Sequence, residues 1–181
     1  MTYTPGIGFG GVLDGDNEGL KEPLLIMIGG APGTGKSSVA SRLYRRLENS
    51  VWLDGDDLWR MNPFRVTEQR KEMVLNNAAF MLDSFIKESF SYIIFSWVMH
   101  EPDIVKRILE RIPESGYRML HYTLVCAETK LLQRISGTNR DPGLCLARLH
   151  SARENYPEAI DTDNMSVEDL VQYILRDIQA G

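Results

Sequence analysis

The residues from Gly30 to Ser37 combine glycines, one lysine and one serine at a spacing suited to holding phosphate groups. They match the pattern G-x-x-x-x-G-K-[ST], in which glycines allow a tight turn that points several backbone N–H groups at one anion. Within this pattern, Lys36 can reach the β- and γ-phosphates of a nucleoside triphosphate, and the Ser37 hydroxyl can ligate Mg²⁺. We therefore expect ATP binding with Mg²⁺. The predicted nucleotide-binding residues are Gly30, Ala31, Pro32, Gly33, Thr34, Gly35, Lys36, Ser37 and Ser38.

The sequence on either side of this motif meets the structural requirement of a phosphate-binding loop. Residues Leu24 to Ile28 form a short continuous apolar run, which is typical of a central parallel strand buried on both faces. An amphipathic helix is predicted from Lys36 to about Leu47. The loop would therefore lie between a strand and a helix, whose positive dipole end also favours anion binding.

A second stretch with chemical potential is Asp54-Gly55-Asp56-Asp57, which follows a predicted strand at Val51 to Leu53. In a parallel sheet, ligands bind at the carboxyl ends of the strands. If the backbone is extended here, Asp54 and Asp56 point to one face and Asp57 points to the other. One carboxylate can then orient Mg²⁺ while the other accepts the proton of an attacking hydroxyl. By spacing alone, the stretch is equally consistent with a simple turn, in which Asp and Gly are favoured.

The rest of the chain alternates between strand and helix patterns, which predicts an α/β fold. We expect a mostly parallel five-stranded sheet, with helices on both faces, in one domain over residues 23–181. Residues 1–22 contain six glycines and few aliphatic side chains, which favours a flexible N-terminal arm. The further predicted elements are a helix from an N-cap at Thr67 to about Ser89, a strand at Tyr92–Val98, a helix at Pro102–Ile112, a strand at Met119–Cys126, helices at Glu128–Ile135 and Leu144–Asn155 separated by a break, a strand at Ala159–Asp161 and a last helix opened by a capping box at Ser166 and Asp169.

The composition narrows the function classes. The chain has 181 residues, of which 43% are hydrophobic and 25% charged, and its net charge is −5. This acidic balance argues against a nucleic-acid partner, because such proteins usually carry a basic surface. No apolar run approaches the ~20 residues of a membrane span, and no secretion signal is evident. The chain contains two cysteines, Cys126 and Cys145, which are expected to be reduced thiols in a cytoplasmic protein. We expect the protein to be a monomer or homodimer.

The phosphate loop, followed by Val51-Trp52-Leu53-Asp54-Gly55-Asp56, resembles the small P-loop metabolite kinases. This group includes gluconate kinase, adenylylsulfate kinase and shikimate kinase, and more distantly chloramphenicol phosphotransferase and zeta-toxin-like kinases. The resemblance implies the P-loop NTPase fold, with Asp56 at the acceptor hydroxyl and Asp54 supporting the metal. The stretch from Leu58 to Phe64 matches no motif of any one of these enzymes, so the acceptor stays open.

The resemblance also implies a helical lid, here about residues 131–153, that brings arginines to the transferring phosphate. Arg134 and Arg140 are the candidates for catalysis together with Lys36 and Asp56, and Arg148 and Arg153 lie in the same region. Planar guanidinium groups suit bidentate phosphate contacts. The alternative is that these arginines are solvated or paired with acidic side chains.

Three further features leave alternatives open. Trp59 and Trp97 either line an acceptor pocket or pack in the core, and the arginines at 60, 65 and 70 either bind an anionic acceptor or form a solvated helix start. The third strand carries Ser96 where many P-loop proteins have an acidic residue.

The function we expect is ATP-dependent phosphotransfer to a hydroxyl of a small molecule, either a metabolite or an antibiotic. The alternatives are a nucleoside or nucleotide kinase, and an ATP-binding regulator with slow hydrolysis.

Overall fold

Five parallel strands in the order β2-β3-β1-β4-β5 form the centre of the domain. The computed structural model describes residues 22–180, so the predicted arm at 1–22 lies outside the described residues except for Glu22. The strands are β1 (Leu24–Gly30), β2 (Ser50–Asp54), β3 (Tyr92–Ser96), β4 (Arg118–Val125) and β5 (Ile160–Asp161). The helices are α1 (Lys36–Leu43), α2 (Glu68–Lys87), α3 (Pro102–Leu109), α4 (Glu128–Ile135), α5 (Pro142–Asn155) and α6 (Val167–Ala180), with a 3₁₀ helix at Gly55–Trp59.

Helices cover both faces of the sheet, which explains the continuous apolar sequence of β1. All seven residues of β1 are buried. Leu25 and Met27 pack with residues of α2 and α3 on one face, whereas Ile26 and Ile28 pack with α1 and α6 on the other. Successive side chains of a strand point to opposite faces, so a central strand with two covered faces must be apolar throughout.

A third, smaller core holds the α4–α5 region together. Leu131 and Ile135 of α4 pack against Cys145 and Leu149 of α5. This cluster is separate from the two large ones and contacts the phosphate loop through Ala31. The predicted lid region therefore has its own packing and lies directly beside the loop.

The predicted α/β fold with a parallel five-stranded sheet is confirmed, and so are the N-cap at Thr67 and the capping box at Ser166 and Asp169. Several element ends differ by a few residues. Helix α5 begins at Pro142, inside the predicted break, because the Asp141 carboxylate accepts a hydrogen bond of 2.7 Å from the Leu144 amide. Proline also suits the first turn of a helix, where its missing N–H costs nothing.

The cysteines and the helices bear on two further expectations. Cys126 and Cys145 are both buried free thiols, as expected for residues that form no disulfide. Within residues 22–180, no helix combines the length and apolar character that crossing a bilayer requires.

Candidate active site

The phosphate loop leaves the carboxyl end of β1 and leads directly into α1. Its start needs glycine at position 30, because a Cβ atom there would lie 2.3 Å from the carbonyl oxygen of Leu124 on the neighbouring strand. Gly30 also has a φ of 132°, a conformation that other residues rarely adopt. The close approach of β1 to β4 therefore sets where the loop can turn. The N–H groups of the first turn of α1 are left to bind an anion.

Lys36 is buried inside this loop. Its Nζ donates a hydrogen bond of 2.8 Å to the carbonyl oxygen of Ala31. Burial lowers the pKa of Lys36 from 10.5 to about 8, although the nearby Asp56 and Asp54 carboxylates act in the opposite direction. The positive charges of Arg140 and Arg148 lower this pKa further. Arg140 and Arg148 therefore lie close enough to Lys36 to act on it, and a group of cations stabilises a multiply charged anion.

Ser37 and Asp54, the two predicted metal-site residues, are adjacent. The Ser37 Oγ donates a hydrogen bond of 2.7 Å to Asp54 Oδ2. Mg²⁺ in nucleotide sites is typically held by one or two protein oxygens together with phosphate oxygens and water. Within residues 22–180, no group of three or more His, Cys, Asp and Glu side chains could hold a metal by itself. The hydroxyl and carboxylate pair therefore fits Mg²⁺ that binds together with a nucleotide.

The backbone after β2 differs from the extended conformation assumed for Asp54-Gly55-Asp56. Strand β2 ends at Asp54, and the 3₁₀ helix begins at Gly55 because Asp54 Oδ1 accepts a hydrogen bond of 3.0 Å from the Asp56 amide. The prediction that Asp54 and Asp56 share a face by strand alternation is therefore wrong. Gly55 also packs against Trp97, since a Cβ at position 55 would lie 2.3 Å from the indole ring.

A cavity of about 350 Å³ surrounds the phosphate loop. Its lining comprises the loop from Pro32 to Ser38, together with Asp56, Arg134 and Arg140. Beyond the loop it is lined by Thr162 and Met165, which follow β5. Gly30 and Ala31 lie outside this lining.

The four arginines of the predicted lid region have different surroundings. Arg134 Nη1 lies 3.4 Å from the Gly33 carbonyl oxygen and from the Thr162 hydroxyl. Arg140 lines the phosphate-loop cavity, and Arg148 lines a second cavity. Arg153 donates a hydrogen bond of 2.8 Å to the carbonyl oxygen of Cys126 and is a structural residue.

The second cavity has a volume of about 760 Å³ and opens beside the phosphate loop. Both Trp59 and Trp97 line this cavity. Trp97 also packs against the core, so this residue both lines a pocket and belongs to the core packing. Its lining includes His100 and Glu101, which follow β3. Burial lowers the pKa of His100. The backbone of Val98 acts in the opposite direction and raises this pKa. The buried His100 Nδ1 makes no hydrogen bond of normal geometry.

Several candidates from the sequence lie away from both cavities. Asp57 pairs with Arg60 at 2.7 Å, and Arg70 Nη1 donates to the carbonyl oxygens of Pro63 and Arg65. None of these arginines lines the second cavity, which favours the interpretation of a solvated helix start. Ser96 accepts a hydrogen bond of 2.9 Å from Trp52 Nε1. The residues that sequence analysis missed are apolar cavity residues such as Phe64, Val66 and Leu144, for which the chain carries no recognisable motif.

Comparison with known proteins identifies the fold. A family model described as "AAA domain" matches residues 26–161, whereas a search of curated proteins gave no match. The tunicamycin resistance protein of Deinococcus radiodurans is similar, with a TM-score of 0.69, 21% identity, and coverage of 86% of this chain and 95% of that one. A gluconokinase from Sinorhizobium meliloti 1021 gives a TM-score of 0.67 at 18% identity, covering 88% of this chain and 94% of that one. A sugar kinase from Janibacter sp. HTCC2649 gives 0.64 at 16% identity, covering 87% and 94%. These likenesses confirm the fold expected from the resemblance to small P-loop kinases.

Proposed function

This chain belongs to the AAA domain family, and on that premise we propose that it is a phosphotransferase that moves the γ-phosphate of ATP to a hydroxyl of a small molecule. The observation that carries the proposal is the position of Asp56. Among the described residues, Asp56 alone lines both the phosphate-loop cavity and the larger second cavity. A carboxylate at this junction can contact a hydroxyl in one cavity while the phosphate donor lies in the other.

In this proposal Asp56 aligns the acceptor hydroxyl and receives its proton. An alcohol is a poor nucleophile, and phosphoryl transfer depends mostly on alignment and on stabilising charge. General base catalysis by a positioned carboxylate typically contributes ~100- to 10,000-fold. The hydrogen bond from the Asp56 amide to Asp54 Oδ1 ties the backbone of the base to the end of β2. This tie supports a fixed position for the carboxylate relative to the phosphate loop.

The cationic residues hold and stabilise the donor. Lys36, Arg134 and Arg140 border the phosphate-loop cavity, so their charges can offset the negative charge of the phosphates. Ser37 and Asp54 would hold Mg²⁺, directly and through water, and the bound ion would neutralise charge on the β- and γ-phosphates. The segment around residues 131–153 would act as a lid, because it brings both arginines to the loop while its own core is small.

The acceptor class has support from three of the similar folds. The names of a gluconokinase and a sugar kinase favour a hydroxylated metabolite, and the name of a tunicamycin resistance protein favours an antibiotic. The buried free thiols support a cytoplasmic location, where cysteines stay reduced.

The experiment that tests this function compares Asp56→Asn with Asp57→Asn, using transfer of labelled γ-phosphate to an accepted alcohol. Asp56→Asn keeps the size of the side chain but removes the base, so we expect kcat to fall by at least ~100-fold with little change in ATP affinity. Asp57 is the matched control, because it pairs with Arg60 and lines neither cavity. If Asp56→Asn keeps most of its kcat, or Asp57→Asn is the more damaging change, the assignment of the base is wrong.

A further inference from the structure

The second cavity has an apolar mouth as well as an apolar wall. Three of the large hydrophobic side chains that are most exposed to solvent lie around it, namely Phe64, Val66 and Leu144, with 63%, 54% and 50% exposure. Deeper in the cavity, the indole of Trp59 lies 6.1 Å from the Phe64 ring. Trp97 forms another part of the wall. Exposed apolar side chains gathered around one concavity mark a binding site for an apolar ligand, because isolated surface hydrophobics show no such grouping.

The charged residues of the same wall do not favour an anion. Lys71 pairs with Glu68 at 2.8 Å, and Arg107 pairs with Glu72 of α2 and lies 3.9 Å from Asp103. Each of these cations already has a carboxylate partner. The remaining arginine of the wall, Arg148, lowers the pKa of both Lys36 and His100, so it lies between the phosphate loop and the far wall of the cavity.

Carboxylates also line the acceptor side of the cavity without strong cationic partners. Glu101 lies 3.8 Å from His100 Nε2, and burial lowers the pKa of that imidazole, so it is mostly neutral at pH 7. Asp56 contributes a second carboxylate. An acceptor that carried its own carboxylate or phosphate would meet these negative charges, and it would compete with the phosphate donor for Arg148, the one arginine of the wall with no ion pair within residues 22–180, which costs binding free energy.

The size of the cavity suits a bulky acceptor. Its volume of about 760 Å³ lies well within the ~300–1,000 Å³ of sites that bind drug-sized molecules. A sugar or sugar acid would fill a minor part of this space. The side chains of Phe64, Val66 and Leu144 would give the hydroxyl groups of such a molecule no hydrogen-bond partners.

From these contacts we propose that the acceptor is a bulky, largely apolar alcohol without negative charge. Its aromatic or aliphatic body would pack against Trp59, Phe64 and Leu144, and its hydroxyl would reach Asp56. This inference rests on the proposed function for the transfer step, while the ligand class itself follows from the cavity. Binding and transfer are therefore measured separately.

Binding is measured first, by quenching of tryptophan fluorescence in the presence of Mg²⁺ and a non-hydrolysable ATP analogue. The probes are naphthyl and biphenyl alcohols, the same alcohols bearing a ring carboxylate, glucose and gluconate. We expect the uncharged aryl alcohols to bind at least ~10-fold more tightly than their carboxylates and than either polyol. Equal or tighter binding of the carboxylates or of the polyols would overturn the proposed acceptor class.

Variants then locate the binding site. The double variant Phe64→Ser/Leu144→Ser removes two exposed apolar side chains from the mouth, so it should weaken aryl alcohol binding at least ~10-fold. Phe80→Ser is the matched control, because Phe80 is 72% exposed on α2 but does not line the cavity. The control should bind within ~2-fold of the native protein. An equal loss in both variants, or in neither, would show that the ligand binds elsewhere.

Transfer of labelled phosphate to the same alcohols completes the experiment and separates the two proposals. Both proposals are supported if phosphate is transferred to the aryl alcohols and if the double variant raises the KM for these alcohols. Tight, mouth-dependent binding with no transfer to any probe supports the ligand class and counts against phosphotransfer. Transfer to the polyols with higher kcat/KM than to the aryl alcohols supports phosphotransfer and overturns the ligand class.

Discussion

Burial of Lys36 predicts that the affinity for ATP falls above pH 8. The pKa of the amine is about 8 in the free protein because the side chain is buried. A triphosphate beside the amine favours its charged form, so the pKa rises well above this value when ATP binds. Above pH 8 most of the free protein has a neutral Lys36 amine, whereas the complex keeps this amine protonated. Binding must then take up a proton, which lowers the affinity for ATP.

The size of the effect follows from the pKa. At pH 9, about one-tenth of the free protein carries the charged amine, so the Kd for MgATP should be ~10-fold higher than at pH 7, which corresponds to ~1.4 kcal/mol. Few other side chains titrate in the pH range where the affinity for MgATP should fall. Burial raises the pKa of the Cys126 and Cys145 thiols, and burial lowers the pKa of His100 and His121. These shifts move all four groups away from the window between pH 7 and 9.

Isothermal titration calorimetry measures both the affinity and the proton uptake. Titrations with MgATP at several pH values, each in two buffers of different ionisation enthalpy, should show uptake that rises from ~0.1 proton at pH 7 to ~0.9 at pH 9. Lys36→Arg is the control, because a guanidinium group stays charged throughout this range. Its Kd should change less than ~2-fold over the same range, whatever its absolute value.

Two results would refute this reasoning. The first is an affinity of the native protein that does not change up to pH 9.5, and the second is an equal decline in affinity in Lys36→Arg.

The stability of the free protein gives a second check on the pKa of Lys36. The unfolded chain holds the Lys36 proton up to pH 10.5, whereas the folded chain releases it near pH 8. The unfolded state therefore binds more protons between these values, and the Lys36 contribution to the free energy of unfolding rises with pH there.

The remaining predictions concern the loop, the metal, the arm and the lid. Lys36→Ala should abolish phosphotransfer while the thermal melting temperature stays at or above the native value, since removing a buried charge relieves a desolvation cost; near-normal turnover would remove the basis of the mechanism. Asp54→Asn should raise the Mg²⁺ concentration needed for half-maximal activity, and an unchanged Mg²⁺ dependence would contradict the proposed metal role. Deletion of residues 1–20 should leave the Kd for ATP unchanged, and a large loss of affinity would show that this segment belongs to the site. Amide hydrogen exchange over residues 136–146 should slow when an ATP analogue and an accepted alcohol are both bound; equal rates with and without these ligands would exclude a mobile lid.

Patterns with a physical period predicted the fold well. The alternation of apolar strands and amphipathic helices was sufficient for the parallel sheet, because a strand covered on both faces must be apolar and an exposed helix must be amphipathic. Local hydrogen bonding was also readable, as the cap at Thr67 and the capping box at Ser166 and Asp169 show. The ends of elements were less readable. The start of α5 depended on one Asp141 side chain that the sequence did not distinguish from a loop residue.

The sequence alone determined the phosphate loop, because glycine, lysine and serine at that spacing have few other uses and act within one short segment. Only the tertiary structure decided where Asp56 lies. The sequence argument assumed strand alternation, whereas Asp56 belongs to a 3₁₀ helix capped by Asp54 and reaches both cavities from there.

The second cavity, the proposed acceptor site, depended on the tertiary structure still more strongly. Phe64, Trp97 and Leu144 are far apart in the chain and carry no shared spacing, yet they line one cavity. Phosphate binding uses backbone N–H groups in a single turn, so a local motif encodes it. The proposed acceptor binding would use side chains brought together from three separate segments, and their meeting is a consequence of how the helices pack on the sheet.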